Sequence, residues 1–275
     1  MDKKNQQLNK NDIFYCSSKK KNKKGVIIYV HGFSSTYYLH HQFFLANNFE
    51  EYDYFSINFK GHKISDTQTK LSEYDINQYA NELINEIKKR HLTNIILIGH
   101  SMGGGIALLA YQKLASKIIK IILVNAINPA IYKSSIGLKY LLNVIKNKRS
   151  ELKIIETYEK IKSDNPLKNT LEAYLNFELE RFLVKKRKFL FLGFKLISPI
   201  LYTKLINIYK TITIPTLFIS GKNDVVIPSN PTKRFIKKIN NPHIKFVSIL
   251  NTKHIPFVED FDKYNEIVWN FINNN

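Results

Sequence analysis

A chain of 275 residues that is 44% hydrophobic can bury one large core but is too short for two ordinary domains plus a linker. No apolar run reaches the roughly 18–20 residues that span a bilayer, and Met1–Asn11 is polar and charged rather than signal-like, so a cytoplasmic protein is expected. The formal charge of +20 is compatible with an anionic membrane surface, which makes peripheral contact with its inner face the expected membrane role; without zinc-finger, RNA-recognition or basic-zipper signatures, no specific nucleic acid is expected.

In chain order, the lone Cys16 comes first, with no partner for a disulfide or a metal-ligand spacing. Val26–Val30 (VIIYV) and Tyr54–Phe59 (YFSINF) then read as buried strands. A helix follows, with Ile76, Tyr79, Ala80, Leu83, Ile84 and Ile87 at helical spacing and Lys88, Lys89 and Arg90 near its C-terminal end, where cations are favoured. Asn94–Ile98 (NIILI) is a third strand, Ile106–Leu114 a helix of small residues, and Ile118–Val124 (IIKIILV) a fourth strand. From 127 to 211 there are helical patterns but no core strand, and basic Lys185–Lys188 stand among Phe182, Phe189, Phe191 and Phe194. Thr216–Ser220 (TLFIS) and Ile244–Leu250 (IKFVSIL) are further strands, and Phe261–Ile272 closes the chain as a helix. Runs that are apolar throughout suit strands covered on both faces. Their alternation with helices predicts an α/β fold with a mostly parallel central sheet flanked by helices. The expected division is a core at 1–126 and 212–275, interrupted by a helical cap insertion at 127–211.

The sequence Gly99-His100-Ser101-Met102-Gly103-Gly104 follows a buried strand directly and opens a helix. A nucleophile on so tight a strand-to-helix turn has crowded neighbours, so the positions two before and two after it must be small. Gly99 and Gly103 meet that demand. The turn lifts the Ser101 hydroxyl above the sheet edge and puts the Met102 amide at a helix N-terminus, where an oxyanion is favoured.

A serine nucleophile needs a base, and the base needs an orienting acid. Asp224 lies just past the strand TLFIS and His254 just past IKFVSIL, both on the carboxyl edge where open parallel sheets bind ligands. His100 reads as a packing residue pointing away from the site. His40, His41, His62, His91 and His243 lack a comparable strand-end position. Glu259 and Asp260 read as charges at the start of the last helix. After VIIYV, His31-Gly32-Phe33 can bring a second amide, that of Phe33, to the substrate oxygen.

Together, Val30-His31-Gly32-Phe33, Gly99-His100-Ser101-Met102-Gly103-Gly104, Gly221-Lys222-Asn223-Asp224 and Lys253-His254-Ile255-Pro256-Phe257 resemble the α/β-hydrolase superfamily, in its small bacterial esterase/lipase, monoacylglycerol-lipase-like branch. The resemblance runs from about Gly25 to the C-terminus, outside the insertion. It implies an eight-stranded sheet, a helical cap and no cofactor or metal. The N-terminal portion is short, so one early strand is expected to be missing. Many relatives carry D-x-x-G-H-G-x-S where this chain has Asn58-Phe59-Lys60-Gly61-His62-Lys63-Ile64-Ser65. The expected activity is a serine esterase or lipase acting on a small ester, with an apolar acyl group suggested by the aromatic insertion. A proline-type aminopeptidase, with Glu172, Glu178 and Glu180 as amine holders, and an acyl thioesterase remain open on the same fold. So does a non-catalytic binder of membrane surfaces or nucleic acid.

Overall fold

The computed structural model describes residues 12–18, 20, 22–47, 50–62, 69–134 and 183–274. Within them β2 (Gly25–Val30), β3 (Tyr52–Ile57), β4 (Ile95–His100) and β6 (Thr216–Gly221) are buried at every residue. That is the environment their largely apolar runs require. With β1 (Ile13–Cys16), β5 (Ile118–Val124) and β7 (Ile244–Ile249) they form a seven-stranded sheet in the order β1-β3-β2-β4-β5-β6-β7. Only β1 runs antiparallel, against β3; the other neighbours pair in parallel. Seven strands are described where the resemblance implies eight. The mostly parallel α/β architecture is the one expected.

Helices cover both faces. Helix α1 (His41–Ala46) and helix α8 (Phe261–Asn273) lie on one side, packing Phe43, Tyr264 and Val268 against Ile27, Tyr29 and Ile96. On the other side, α2 (Ile76–Lys89), α3 (Met102–Leu114), α4 (Lys186–Leu196), α5 (Pro199–Thr211) and α6 (Ser229–Ile239) share a core with Val26, Ile28 and Leu97. Helix α2 buries the six apolar residues whose spacing predicts it. Each such burial is worth roughly 1.5–3 kcal/mol for a large aliphatic side chain. The Asp75 carboxylate caps that helix by accepting from the Asn77 N–H at 2.8 Å, and pairs with Lys195 of α4 at 2.6 Å. From β5 the Lys120 ammonium donates to the carbonyls of Phe271, Ile272 and Asn274 at 3.0, 2.9 and 2.7 Å.

Two details differ from the sequence reading. The second strand spans Tyr52–Ile57 rather than Tyr54–Phe59. Its early part holds Asp53, whose buried carboxylate is met by the Tyr15 hydroxyl at 2.7 Å, the Ser18 N–H at 2.8 Å and the Lys23 ammonium at 2.5 Å. Strand β1 was not expected. Of the insertion at 127–211, residues 127–134 and 183–211 are described, and they include α4, α5 and a 3-10 turn at Pro129–Lys133. Phe182, Glu172, Glu178 and Glu180 lie outside the described residues. Among the described residues no single helix is long and apolar enough to cross a membrane.

Parallel pairing brings the strand ends together. Val30 pairs with Gly99, His100 with Val124, Val124 with Ile219, and Gly221 with Ile249. The loops that leave β2, β4, β5, β6 and β7 therefore open on one edge of the sheet.

Candidate active site

Ser101 stands between β4 and α3 with φ 53° and ψ −118°, a region that side chains with a Cβ rarely occupy. The glycines permit this. A Cβ on Gly103 would lie 2.0 Å from the Val30 carbonyl oxygen, and one on Gly99 would lie 2.6 Å from that of Gly103. The backbone of the elbow is locked to β5: the Ser101 N–H donates to Val124 O at 2.9 Å, and Ser101 O accepts from the Ile127 N–H at 3.1 Å.

The structure brings Ser101, His254 and Asp224 together, although 123 and 30 residues separate them (224 − 101 and 254 − 224). His254 Nε2 is 3.1 Å from Ser101 Oγ, and His254 Nδ1 is 2.8 Å from Asp224 Oδ2. The other Asp224 oxygen accepts from the N–H groups of Val226 and Ile227 at 2.7 and 3.1 Å. Those two bonds fix the carboxylate plane. With Nδ1 donating to the carboxylate, Nε2 is left as an acceptor for the serine hydroxyl. All three side chains are buried.

On the other side of Ser101 lies the loop after β2. A Cβ on Gly32 would sit 3.3 Å from Ser101 Cβ, so the loop's backbone runs against the serine. Phe33 follows, its ring edge-on to Phe189 of α4 at 5.5 Å. Two histidines hold this loop. His31 Nε2 accepts from the Phe59 N–H at 3.2 Å, which leaves its Nδ1 proton for Gly32 O at 2.8 Å. His62 Nε2 accepts from the N–H of Ser34, a residue at φ 53°. Met102 begins α3, so its N–H has no acceptor within the helix. Gly32 on one side and the first residue of α3 on the other therefore flank the serine.

The loop carrying His254 is braced by side chains from three elements. The Lys253 and Ile255 N–H groups donate to the Glu259 carboxylate. His100 Nε2 donates to His254 O at 2.9 Å, and Asn125 Nδ2 to Lys253 O at 2.9 Å. Glu259 is therefore not an N-terminal charge of the last helix. It closes the short helix α7 (Pro256–Glu259) and turns back to the His254 loop, while Asp260 caps α8 by accepting from the Lys263 N–H at 3.2 Å. Burial raises the Glu259 carboxyl above its ordinary range, against the two N–H donors that lower it. His100 packs, as expected, but on the far side of His254, whose carbonyl it holds. Burial keeps its imidazole well below the ordinary histidine range, hence neutral. The roles of Asn125, His31 and His62 escaped the sequence reading because their partners are backbone groups of segments distant in sequence, and that of Glu259 because only the folded turn brings it back to Lys253 and Ile255.

Comparison with known proteins assigns the family. A family model described as serine aminopeptidase, S33, matches residues 21–260. The chain belongs to this family of α/β hydrolases. A relative named "Putative esterase/lipase 2", from Mycoplasma genitalium, is 30% identical to this hydrolase over 235 residues, covering 83% of this chain and 82% of the relative. The fold is also that of an esterase from Exiguobacterium antarcticum, with TM-score 0.76, 19% identity and 95% of both chains covered. A bromoperoxidase from Bacillus anthracis shares it too, with TM-score 0.77, 18% identity and the same coverage. The chain is thus an esterase/lipase-like α/β hydrolase.

Where relatives carry an aspartate after the strand, this hydrolase has Asn58. Its carbonyl oxygen accepts from the Tyr37 N–H at 2.9 Å, and its buried side-chain NH2 meets no acceptor among the described residues. Lys63, Ile64 and Ser65 of the same motif lie outside the described residues. No group of three or more metal-ligating side chains gathers among the described residues.

Proposed function

We propose that this hydrolase cleaves carboxylic esters through an acyl-enzyme, with Ser101 as nucleophile, His254 as base and Asp224 as the orienting acid. The observation that carries the reading is the unbroken hydrogen-bond chain from Ser101 Oγ through His254 to Asp224, buried at the edge where the parallel strands end. As Ser101 Oγ attacks the ester carbonyl, its proton passes to His254 Nε2. The carbonyl oxygen becomes an oxyanion, held by the Met102 and Phe33 amides. The imidazolium, stabilised by Asp224, then protonates the departing alcohol. Water then attacks the acyl carbon while giving a proton to His254, and as the bond to Ser101 Oγ breaks His254 returns that proton to Oγ, releasing the acid.

The insertion at 127–211 is the proposed cap between the two parts of the core, and Phe33 and Phe189 favour an apolar acyl group beside the serine. Peripheral contact with an anionic membrane fits the same region, where Val184 and Ile200 are 84% and 83% exposed beside exposed Arg187 and Lys204.

The purified protein is expected to hydrolyse p-nitrophenyl esters of short to medium chain length, and Ser101→Ala to abolish turnover. A fluorophosphonate probe that leaves Ser101 unlabelled in folded protein would sink the proposal. The family description favours peptide amides as a second reading, and prolyl amides belong in the same series. Faster turnover on those than on esters would transfer the assignment to an aminopeptidase. Failure to sediment with phosphatidylglycerol vesicles at low salt removes the membrane part alone.

A further inference from the structure

The side chain of Asn125 touches neither the serine nor the base, yet it stands between the two loops that carry the acid and the base. It follows the last residue of β5, is fully buried, and has φ 43°. Its Oδ1 accepts from the Gly221 N–H at 2.9 Å, at the start of the Asp224 loop. Its Nδ2 donates to Lys253 O at 2.9 Å, one residue before His254. The amide orientation is unambiguous, because an N–H can only donate and a carbonyl can only accept.

The backbone around it is fixed as well. The Asn125 N–H donates to Ile219 O on β6 at 2.9 Å. Its neighbour Val124 and, two residues on, Ile127 make the two backbone bonds that lock Ser101. One short segment of chain therefore registers the nucleophile, the acid loop and the base loop against one another. The fit is close: a Cβ on Gly221 would lie 1.9 Å from Lys253 O. One backbone bond, from the Asn223 N–H to Thr252 O at 2.8 Å, also joins the two loops directly. Asn125 adds the link that ties both of them to β5.

We propose that Asn125 is a positioning residue for ester hydrolysis, setting the Asp224–His254 pair against Ser101 through its two amide hydrogen bonds. The inference rests on the acyl-enzyme reading above. Each side-chain substitution has a defined meaning. Asn125→Asp keeps an acceptor for the Gly221 N–H but turns a carboxylate oxygen toward Lys253 O, so only the base loop is released. Asn125→Ala releases both loops.

The test measures kcat and KM on a p-nitrophenyl ester, counted per fluorophosphonate-labelled site so that unfolded protein does not contribute. Both variants are expected to lose about tenfold or more in kcat with KM within about threefold, the signature of an interaction felt in the transition state. The same substitutions are then made in an Asp224→Ala background. If Asn125 acts through the acid–base pair, its replacement there costs less than about threefold, because residues that act as a unit are non-additive. Should Asn125→Ala fail to fold, Asn125→Asp and Asn125→Ser, which retain a polar group at Gly221, carry the measurement. Wild-type kcat in any folded variant, or an equal loss in both backgrounds, overturns the proposal. Absence of probe labelling in the wild type would instead overturn the acyl-enzyme reading.

Discussion

Ser101 can hold its strained backbone because the residues two before and two after it, Gly99 and Gly103, lack side chains. The methyl group of Gly103→Ala would meet the Val30 and His31 carbonyl oxygens at 2.0 and 2.6 Å, and neither can yield without moving the end of β2. Overpacking of this kind costs typically 1–3 kcal/mol. We expect at least about 2 kcal/mol here, read from urea unfolding; an unchanged midpoint would mean that the elbow is softer than its contacts. This demand for small neighbours was legible in the sequence, since it is local: a strand, a serine and two glycines lie within a few residues. Asp224 and His254 were legible as companions of Ser101 as well, from their places after apolar runs, and the fold brings the three together. Their supports were not. Glu259 is a carboxylate near a helix start in sequence, and only the folded loop shows it accepting from Lys253 and Ile255. Asn58 stands where relatives have an aspartate, and the structure gives its carbonyl a donor but its NH2 no acceptor among the described residues.

At the scale of elements, the loop after β2 is the part that side chains from outside it must shape. Ser34 at φ 53° is held by His62, which itself packs against Phe189 and Tyr79. His62→Ala leaves the Ser34 N–H without that acceptor and a gap beside Phe189. The expected result is a loss of about tenfold in kcat with little change in KM, since a displaced donor weakens binding of the oxyanion more than of the ester. A rise in KM alone would assign His62 to substrate binding instead. Among the elements, β2, β4 and β6 could be read because strands buried on both faces are largely apolar, and β5 and β7 because their β-branched and aromatic residues outnumber the polar ones that face out. Strand β3 was placed two residues late because Asp53 breaks its run, and the partners that make Asp53 tolerable come from Tyr15, Ser18 and Lys23. Strand β1 has only four residues and owes its existence to pairing with β3, which no local pattern announces.

Across the whole molecule, buried imidazoles make stability depend on pH. His40 is enclosed by Tyr29, Tyr54 and Tyr264, and burial, reinforced by His41, lowers its pKa to about 3. An unfolded histidine titrates near 6.5. Between about pH 6.5 and 3 the unfolded chain therefore binds a proton that the folded one refuses. Stability from this neutral site is complete above about 6.5 and falls as the pH drops below it, by about 1.4 kcal/mol per unit for one group. His100 acts in the same direction. Glu259 opposes them, because its raised carboxyl pKa gives the folded state the extra proton. His41, its pKa also lowered by burial, adds to the two imidazoles, and three imidazoles against one carboxyl leave a net loss on acidification, so urea unfolding at pH 5 should show lower stability than at pH 7, with a shallower fall in His40→Gln. Equal stability at the two values would contradict the burial of these rings. The grip of Lys120 on Phe271, Ile272 and Asn274 has a consequence of another kind. Helices normally fray where their last carbonyls lack donors, and a terminal helix is often the first unit to peel away from a domain. Here the three protons of one ammonium, rooted in the middle of the sheet, occupy those carbonyls. Fluctuations at the end of α8 must break the hold of β5 before they can spread, so the last helix opens with the sheet rather than ahead of it.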